Sequence, residues 1–260
     1  MNHFEFRFPM LIFLWVSFFV FCKPVWAEKK FIDLTHPFDQ STIYWPTSRP
    51  FQLEELHRGK TDKGYWYEAN NFSSAEHGGT HIDAPSHFAE GKWRVDEIPL
   101  HRLIAPGILL DVSGKANPDY LISEKDFLDW EMVNGRIPEG VIVLVRTGWE
   151  NFWPDKKKYP GSDKPGDTAH LHFPGFGEDA ARFLSQKRKV AAVGLDTANL
   201  DFGQSKNFDS QQVFGEANVF GFESLHRLSR FPVKGFRVIA LPMNIGGGSG
   251  APLRIVAEIE

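Results

Sequence analysis

The chain has 260 residues, one cysteine and a formal charge of −4, a mildly acidic balance that argues against nucleic acid and against an anionic membrane surface as partners. Residues 1–27 read as a cleaved secretory signal. Arg7 lies in a short n-region, Phe8 to Phe21 is apolar and strongly aromatic, and Val25 and Ala27 stand at the −3 and −1 positions of a cleavage site. The apolar run is shorter than the ~20 residues a spanning helix needs, so no stable membrane anchor is expected. Cys22 follows Phe21, where a lipoprotein site needs a small residue. Setting this segment aside removes Glu5, Arg7 and Lys23 and takes the formal charge to −5. Residues 28–260 then hold no cysteine, so this part forms no disulfide and must rest on an ordinary buried core. Its length suits one domain.

In chain order, "FIDL" from 31 reads as a strand, and "YWYEANNFSSAE" at 65–76 alternates and reads as strand passing into loop. "GILLDV" at 107 is a further buried strand, followed by a helix over 124–132 started by Ser123 with Asp126. "VIVLVRT" at 141 is a strand, and Lys156-Lys157-Lys158 between prolines is a solvated loop. In "GEDAARFLSQKRK" at 177–189 the residues Ala180, Phe183 and Leu184 share a helical face, with acids first and bases last. "VAAVGLD" at 190, "FRVIAL" at 236 and "LRIVAEI" at 253 complete the strands. "GGGSG" at 246–250 precedes a strand rather than a helix, so it reads as a flexible turn and not a phosphate cradle. Trp45 and Trp66 read as core or pocket wall. The expected fold is α/β: a single β-rich domain with a mixed β core flanked by helices.

"HGGTHIDAPSHF" at 77–88 carries the chemistry. His77 and His81 have the spacing of two ligands on a helix, but Gly78, Gly79 and Pro85 make a helix improbable there. On a strand His81 and Asp83 point to one side, His77 joins them if the glycines bend the backbone, and His87 overhangs the group from the loop after Pro85. Two imidazoles and a carboxylate meeting at a point suit Zn²⁺, Mn²⁺ or Fe²⁺. His36, His57, His101 and His226 stand alone and read as structural.

This stretch matches the HxGTHxDxPxH motif, and the chain resembles the cyclase-like metal hydrolase family, which includes isatin hydrolases and bacterial kynurenine formamidases. Weaker similarity runs through "FIDLTHPFDQSTIYWP", "VAAVGLDTANLDFGQS" and "VIALPMNIGGGSGAPLRIVA". The resemblance implies a cyclase-like fold of the swivelling β/β/α type, commonly assembled as a homo-oligomer. It implies that His77, His81 and Asp83 hold the metal and that His87 is catalytic. Two-zinc members hold a second ion with a histidine twelve residues before a glutamate, and here Gln211 and Glu223 stand at those positions. A glutamine there fits the isatin hydrolase branch, with Gln211 completing the set around one Mn²⁺ (Zn²⁺ the alternative) and Glu223 as an additional ligand. The implied reaction is hydrolysis of a small aromatic amide, isatin to isatinate, with N-formylkynurenine as the alternative substrate. A rival from another class is a non-haem iron oxygenase, since His81, Asp83 and a distant histidine mimic a facial triad, but His77 is then a surplus ligand. A secreted metal- or ligand-binding protein without catalysis is the non-enzymatic rival.

Overall fold

Valine, isoleucine and leucine runs bounded by turn residues suit strands buried on both faces. The computed structural model describes residues 29–259, so the predicted signal segment, with Cys22, lies outside the described residues. Their strands are β1 (Lys30–Asp33), β2 (Gln52–Lys60), β3 (Trp66–Ser73), β4 (His81–Asp83), β5 (Ile104–Asp111), β6 (Leu121–Ile122), β7 (Ile142–Arg146), β8 (Gly175–Phe176), β9 (Ala192–Leu195), β10 (Phe220–Glu223), β11 (Lys234–Pro242) and β12 (Gly250–Ile259). The helices are α1 (Leu100–Leu103), α2 (Glu124–Asn134), α3 (Glu178–Arg182) and α4 (Asp209–Glu216). Each apolar run read as a strand forms one.

Eight strands make one sheet in the order β1-β12-β11-β5-β7-β9-β10-β4, and β4 also pairs with β12. That extra pairing closes the sheet into a barrel-like ring, with β1 left on the flank. Neighbours from β5 through β7 and β9 to β10 run parallel, and the other pairings are antiparallel. Alternation along the strands sends one set of side chains into the ring, among them Ile142, Leu144, Phe220, Phe222, Val238 and Ile255. The opposite set, including Val143, Val145 and Val193, packs under Phe127 and Trp130 of α2, Ala180 of α3 and Phe214 of α4. The result is one mixed α/β domain, as the sequence predicts. No helix among the described residues is long and apolar enough to cross a membrane.

Ser123 and Asp126 form a capping box at the start of α2, and Gly135 ends the helix at φ 85°. The second predicted helix is interrupted. After α3 the backbone widens into a π-helical turn over Phe183–Arg188 and stops at Lys189, in the left-handed region. Its apolar face is the expected one, since Ala180, Phe183 and Leu184 are all buried. Six elements were not predicted: β2, β6, β8, β10, α1 and α4. β2 is polar and exposed along almost its whole length, paired only with β3 in a ribbon. β10 has too few residues to show a period, and α4 is short with Gly215 inside it. Trp66 is neither core nor pocket wall: it sits on the ribbon, 61% exposed.

The two kinds of support differ in size. Ser123→Ala removes one cap and should cost about 1 kcal/mol, whereas Phe222→Ala opens a cavity in the ring and should cost about 3–5 kcal/mol. Urea unfolding of both variants beside the wild type reads the difference.

Candidate metal centre

β4 is three buried residues held between β10 and β12. Glu223 stands opposite His81 and Gly221 opposite Asp83 on one side, with Pro252 and Gly250 in the same positions on the other. Paired residues share a face of a sheet. His81, Asp83 and Glu223 therefore project together on the outer face, while Ile82 and Phe222 turn into the core. His81 Nε2 lies 3.2 Å from Asp83 Oδ1 and 3.4 Å from Glu223 Oε2. A side chain at 221 has no room, since a Cβ there falls 2.5 Å from Leu200.

The glycines before β4 do what the sequence asks of them. A Cβ on Gly78 would fall 2.0 Å from the Tyr44 ring, and Gly79 takes φ +57°. The bend brings His77 Nδ1 to 2.6 Å from Asp83 Oδ1. Pro85 opens a short 3₁₀ turn, Pro85–His87, that lays the His87 ring on the His77 ring at 3.8 Å and 16°. Gly215 of α4 seats that turn, because a Cβ there would meet Pro85 O at 2.8 Å. His77, His81, Asp83, His87 and Glu223 all border one cavity of about 240 Å³, walled by Trp45, Phe88 and Phe208.

The donor set fits a divalent cation. His81 Nδ1 faces Gly79 O at 3.0 Å, and a carbonyl only accepts, so Nδ1 carries the proton of the neutral ring. Nε2 is then a buried acceptor without a hydrogen-bond partner, facing the oxygens of Asp83 and Glu223, which only accept when ionised. A cation resolves that convergence. His77, Asp83 and His87 form one group of close ligand atoms and His81, Asp83 and Glu223 another, so Asp83 belongs to both.

Burial works against charge on both carboxylates. On Asp83 it is outweighed by His77 and His87, which hold that carboxyl well below the usual range. On Glu223 burial prevails, reinforced by the charge of Asp83, and pushes the carboxyl well up. Burial depresses His87 to about 4, helped by His77 and His81 and opposed by Asp83. His87 is thus a neutral acceptor at pH 7. For His77 the pull of Asp83 overcomes burial and raises the ring above its ordinary value.

The structure brings His77, His81, Asp83, His87 and Glu223 together. Gln211 lies one residue further out: it does not border the cavity, and its Nε2 donates to Asn199 Oδ1 at 3.1 Å. Asn199 is the cavity residue there. Sequence reasoning missed Asn199, Phe88 and Phe208, which carry no local pattern. It also missed Ser249: "GGGSG" is a turn before a strand, as expected, but its serine hydroxyl lies 2.9 Å from His77 Nε2.

Residues 32–202 match the family model described as Putative cyclase. The chain is 33% identical over 206 residues to the isatin hydrolase of Roseibium aggregatum, covering 75% of this chain and 76% of that one. It is 27% identical over 227 residues to the kynurenine formamidase of Maricaulis maris, covering 87% and 97%. Among solved structures, isatin hydrolase A from Ralstonia solanacearum superposes with a TM-score of 0.82 at 32% identity, over 89% of this chain and 92% of that one. The chain belongs to the putative cyclase family. In this cyclase-family chain the HGGTH segment also has a structural partner. Thr80 Oγ1 accepts from His36 N at 2.9 Å and donates to Ser224 O at 2.7 Å. The His36 ring stacks on Trp153 at 4.2 Å and leans on His226 at 4.4 Å.

Burial lowers His36 to about 3 from an ordinary 6.5, with the charges of His226 and Arg227 adding to it. The unfolded chain therefore binds a proton that the folded ring refuses, and stability falls as pH drops from about 6.5 towards 3. Between pH 6.5 and 5 this amounts to roughly 2 kcal/mol. In urea unfolding at the two pH values, His36→Phe should lose less than the wild type; equal losses would clear His36 of the effect.

Proposed function

We propose that this chain is a metal-dependent hydrolase that opens the cyclic amide of isatin to isatinate. The observation that carries the reading is the unpartnered His81 Nε2 facing Asp83 and Glu223, beside an aromatic-walled cavity that His87 overhangs. His77, His81, Asp83 and Glu223 would hold the ion. When bound, such an ion polarises the amide carbonyl and makes water a stronger acid. His87, neutral at pH 7, takes the proton of the attacking water and passes it to the departing nitrogen. Trp45, Phe88 and Phe208 offer flat apolar faces for an aromatic substrate and keep bulk water from it. N-formylkynurenine is the second reading, favoured by the likeness to kynurenine formamidase; it too is cleaved at an amide C–N bond.

One ion per chain is proposed, Mn²⁺ before Zn²⁺. Two imidazoles with two carboxylates are an oxygen-rich set that suits manganese. Glu223, expected beside Gln211 as an additional ligand, would supply the second carboxylate of this set. A homo-oligomer is also proposed. Leu53, Leu56, Trp66, Tyr67 and Phe72 leave the β2–β3 ribbon with exposed apolar side chains, and a two-stranded ribbon has little stability alone. The predicted leader supports export, to the periplasm or beyond.

Loss of isatin absorbance, followed with elemental analysis, tests the chemistry. Asp83→Ala should lose both ion and turnover. His87→Ala should keep its ion and turn over about 10²–10⁴-fold more slowly. Ion-loaded wild type that hydrolyses neither isatin nor N-formylkynurenine would leave the non-catalytic binding protein as the better reading. For the assembly, sedimentation of the wild type should give a multiple of the chain mass, and Trp66→Asp with Phe72→Asp should reduce it to one chain.

A further inference from the structure

The "GGGSG" segment is the sequence motif that the reaction leaves unused. It joins β11 to β12 and is fastened along its length. Gly247 N donates to Asp96 Oδ1 at 3.1 Å, Gly248 O accepts from Val95 N at 2.9 Å, and Ser249 O accepts from Ala84 N at 2.9 Å. Gly250 is pressed so close to the site that a Cβ would fall 2.5 Å from the His77 ring and 2.5 Å from Ile82 O. What the segment delivers is Ser249. Its hydroxyl lies 2.9 Å from His77 Nε2 and 2.7 Å from Glu76 Oε2, and its amide donates to the same Glu76 oxygen at 3.1 Å.

The direction of these bonds follows from what each group carries. A carboxylate only accepts, so the hydroxyl proton of Ser249 goes to Glu76. The hydroxyl oxygen is then the acceptor for His77, and Nε2 must bear the ring proton. Nδ1 lies 2.6 Å from Asp83 Oδ1, which only accepts, so Nδ1 is the ring nitrogen that gives up its proton and turns ligand when the carboxylate cluster holds a cation. Ser249, His77 and Asp83 in line resemble a nucleophile, base and acid, but the geometry argues against that use. Ser249 does not border the cavity, and its proton is committed to Glu76 rather than to the histidine.

We infer that Ser249, oriented by Glu76, is a positioning residue that fixes the His77 ring as its Nε2–H tautomer, so that Nδ1 faces the metal cluster as a ligand. The inference rests on the metal reading of the site. A metal-binding histidine that donates its second ring N–H to a fixed partner is held in rotation and tautomer, and losing such a partner typically costs 10–100-fold in metal affinity.

The test uses the full protein stripped by dialysis against a chelator, with Zn²⁺ affinity measured by chelator competition. The tautomer is read from the ¹⁵N spectrum of the zinc-loaded, ¹⁵N-histidine-labelled protein. Ser249→Ala should weaken zinc binding about 10–100-fold and lose the hydrogen-bonded Nε2 proton of His77. Ser249→Thr, which keeps the hydroxyl, should restore both. Glu76→Gln, whose amide also donates, should admit the second tautomer and lose part of the affinity. Should Ser249→Ala fail to fold, as judged by circular dichroism, the threonine and glutamine variants still decide the matter. Equal zinc affinity and an unchanged His77 proton in Ser249→Ala and Glu76→Gln would overturn the inference, as would a wild-type His77 protonated on Nδ1. Wild type that takes up no zinc would instead overturn the reading of the site itself, and the inference with it.

Discussion

The pairing of β4 with β10 on one side and β12 on the other is the constraint on which everything else here depends. One three-residue strand both closes the ring and places the ligands. Its register sets Glu223 across from His81, and a slip of one residue would send His81 and Asp83 into the core and Ile82 out. Fold and site are therefore the same set of hydrogen bonds. The small residues around β4 follow from that. Gly221 and Gly250, both opposite Asp83, leave space for Leu200 and for the His77 ring respectively.

The site is electrostatically unfinished without a cation. Burying a carboxylate costs several kcal/mol even after relaxation, and Asp83 and Glu223 are buried within one cluster of ligand atoms. Nearby histidines compensate Asp83 and leave Glu223 raised. The ring tolerates this tension because the strand backbone is fully paired and Phe222 and Ile82 anchor its inner face. A bound ion relieves it, so binding and folding stability are linked.

Local chemistry was legible in the sequence; distant pairing was not. His77, His81, Asp83 and His87 stand within one short stretch, and glycine and proline among them say how the backbone must turn. Glu223 is different, since nothing in "FGFE" says which strand lies beside it or which face looks outward. Gln211 shows the same limit from the other side. Its position in the chain agrees with a ligand, but α4 turns it towards Asn199. "GGGSG" looked flexible because five small residues have no period, and only the bonds to Asp96, Val95 and Ala84 make it a fixed support. Among the elements, buried apolar strands were plain. The ribbon strand β2 was hidden by its charge, and the π-helical turn after α3 by a helical pattern that does not register the wider winding.

His77 and Ser249 are 172 residues apart, and Thr80 reaches Ser224 across 144. The residues that define the centre leave the ribosome well before those that brace it. Contacts of such sequence separation form slowly, because loop closure precedes the contacts that reward it. During synthesis the chain thus carries an exposed histidine and aspartate cluster with no strand on either side. A chain cut short of β12 would keep the whole recognisable motif and yet have neither a closed ring nor a braced His77. In this architecture the centre is assembled only once β12 has joined the ring beside β4.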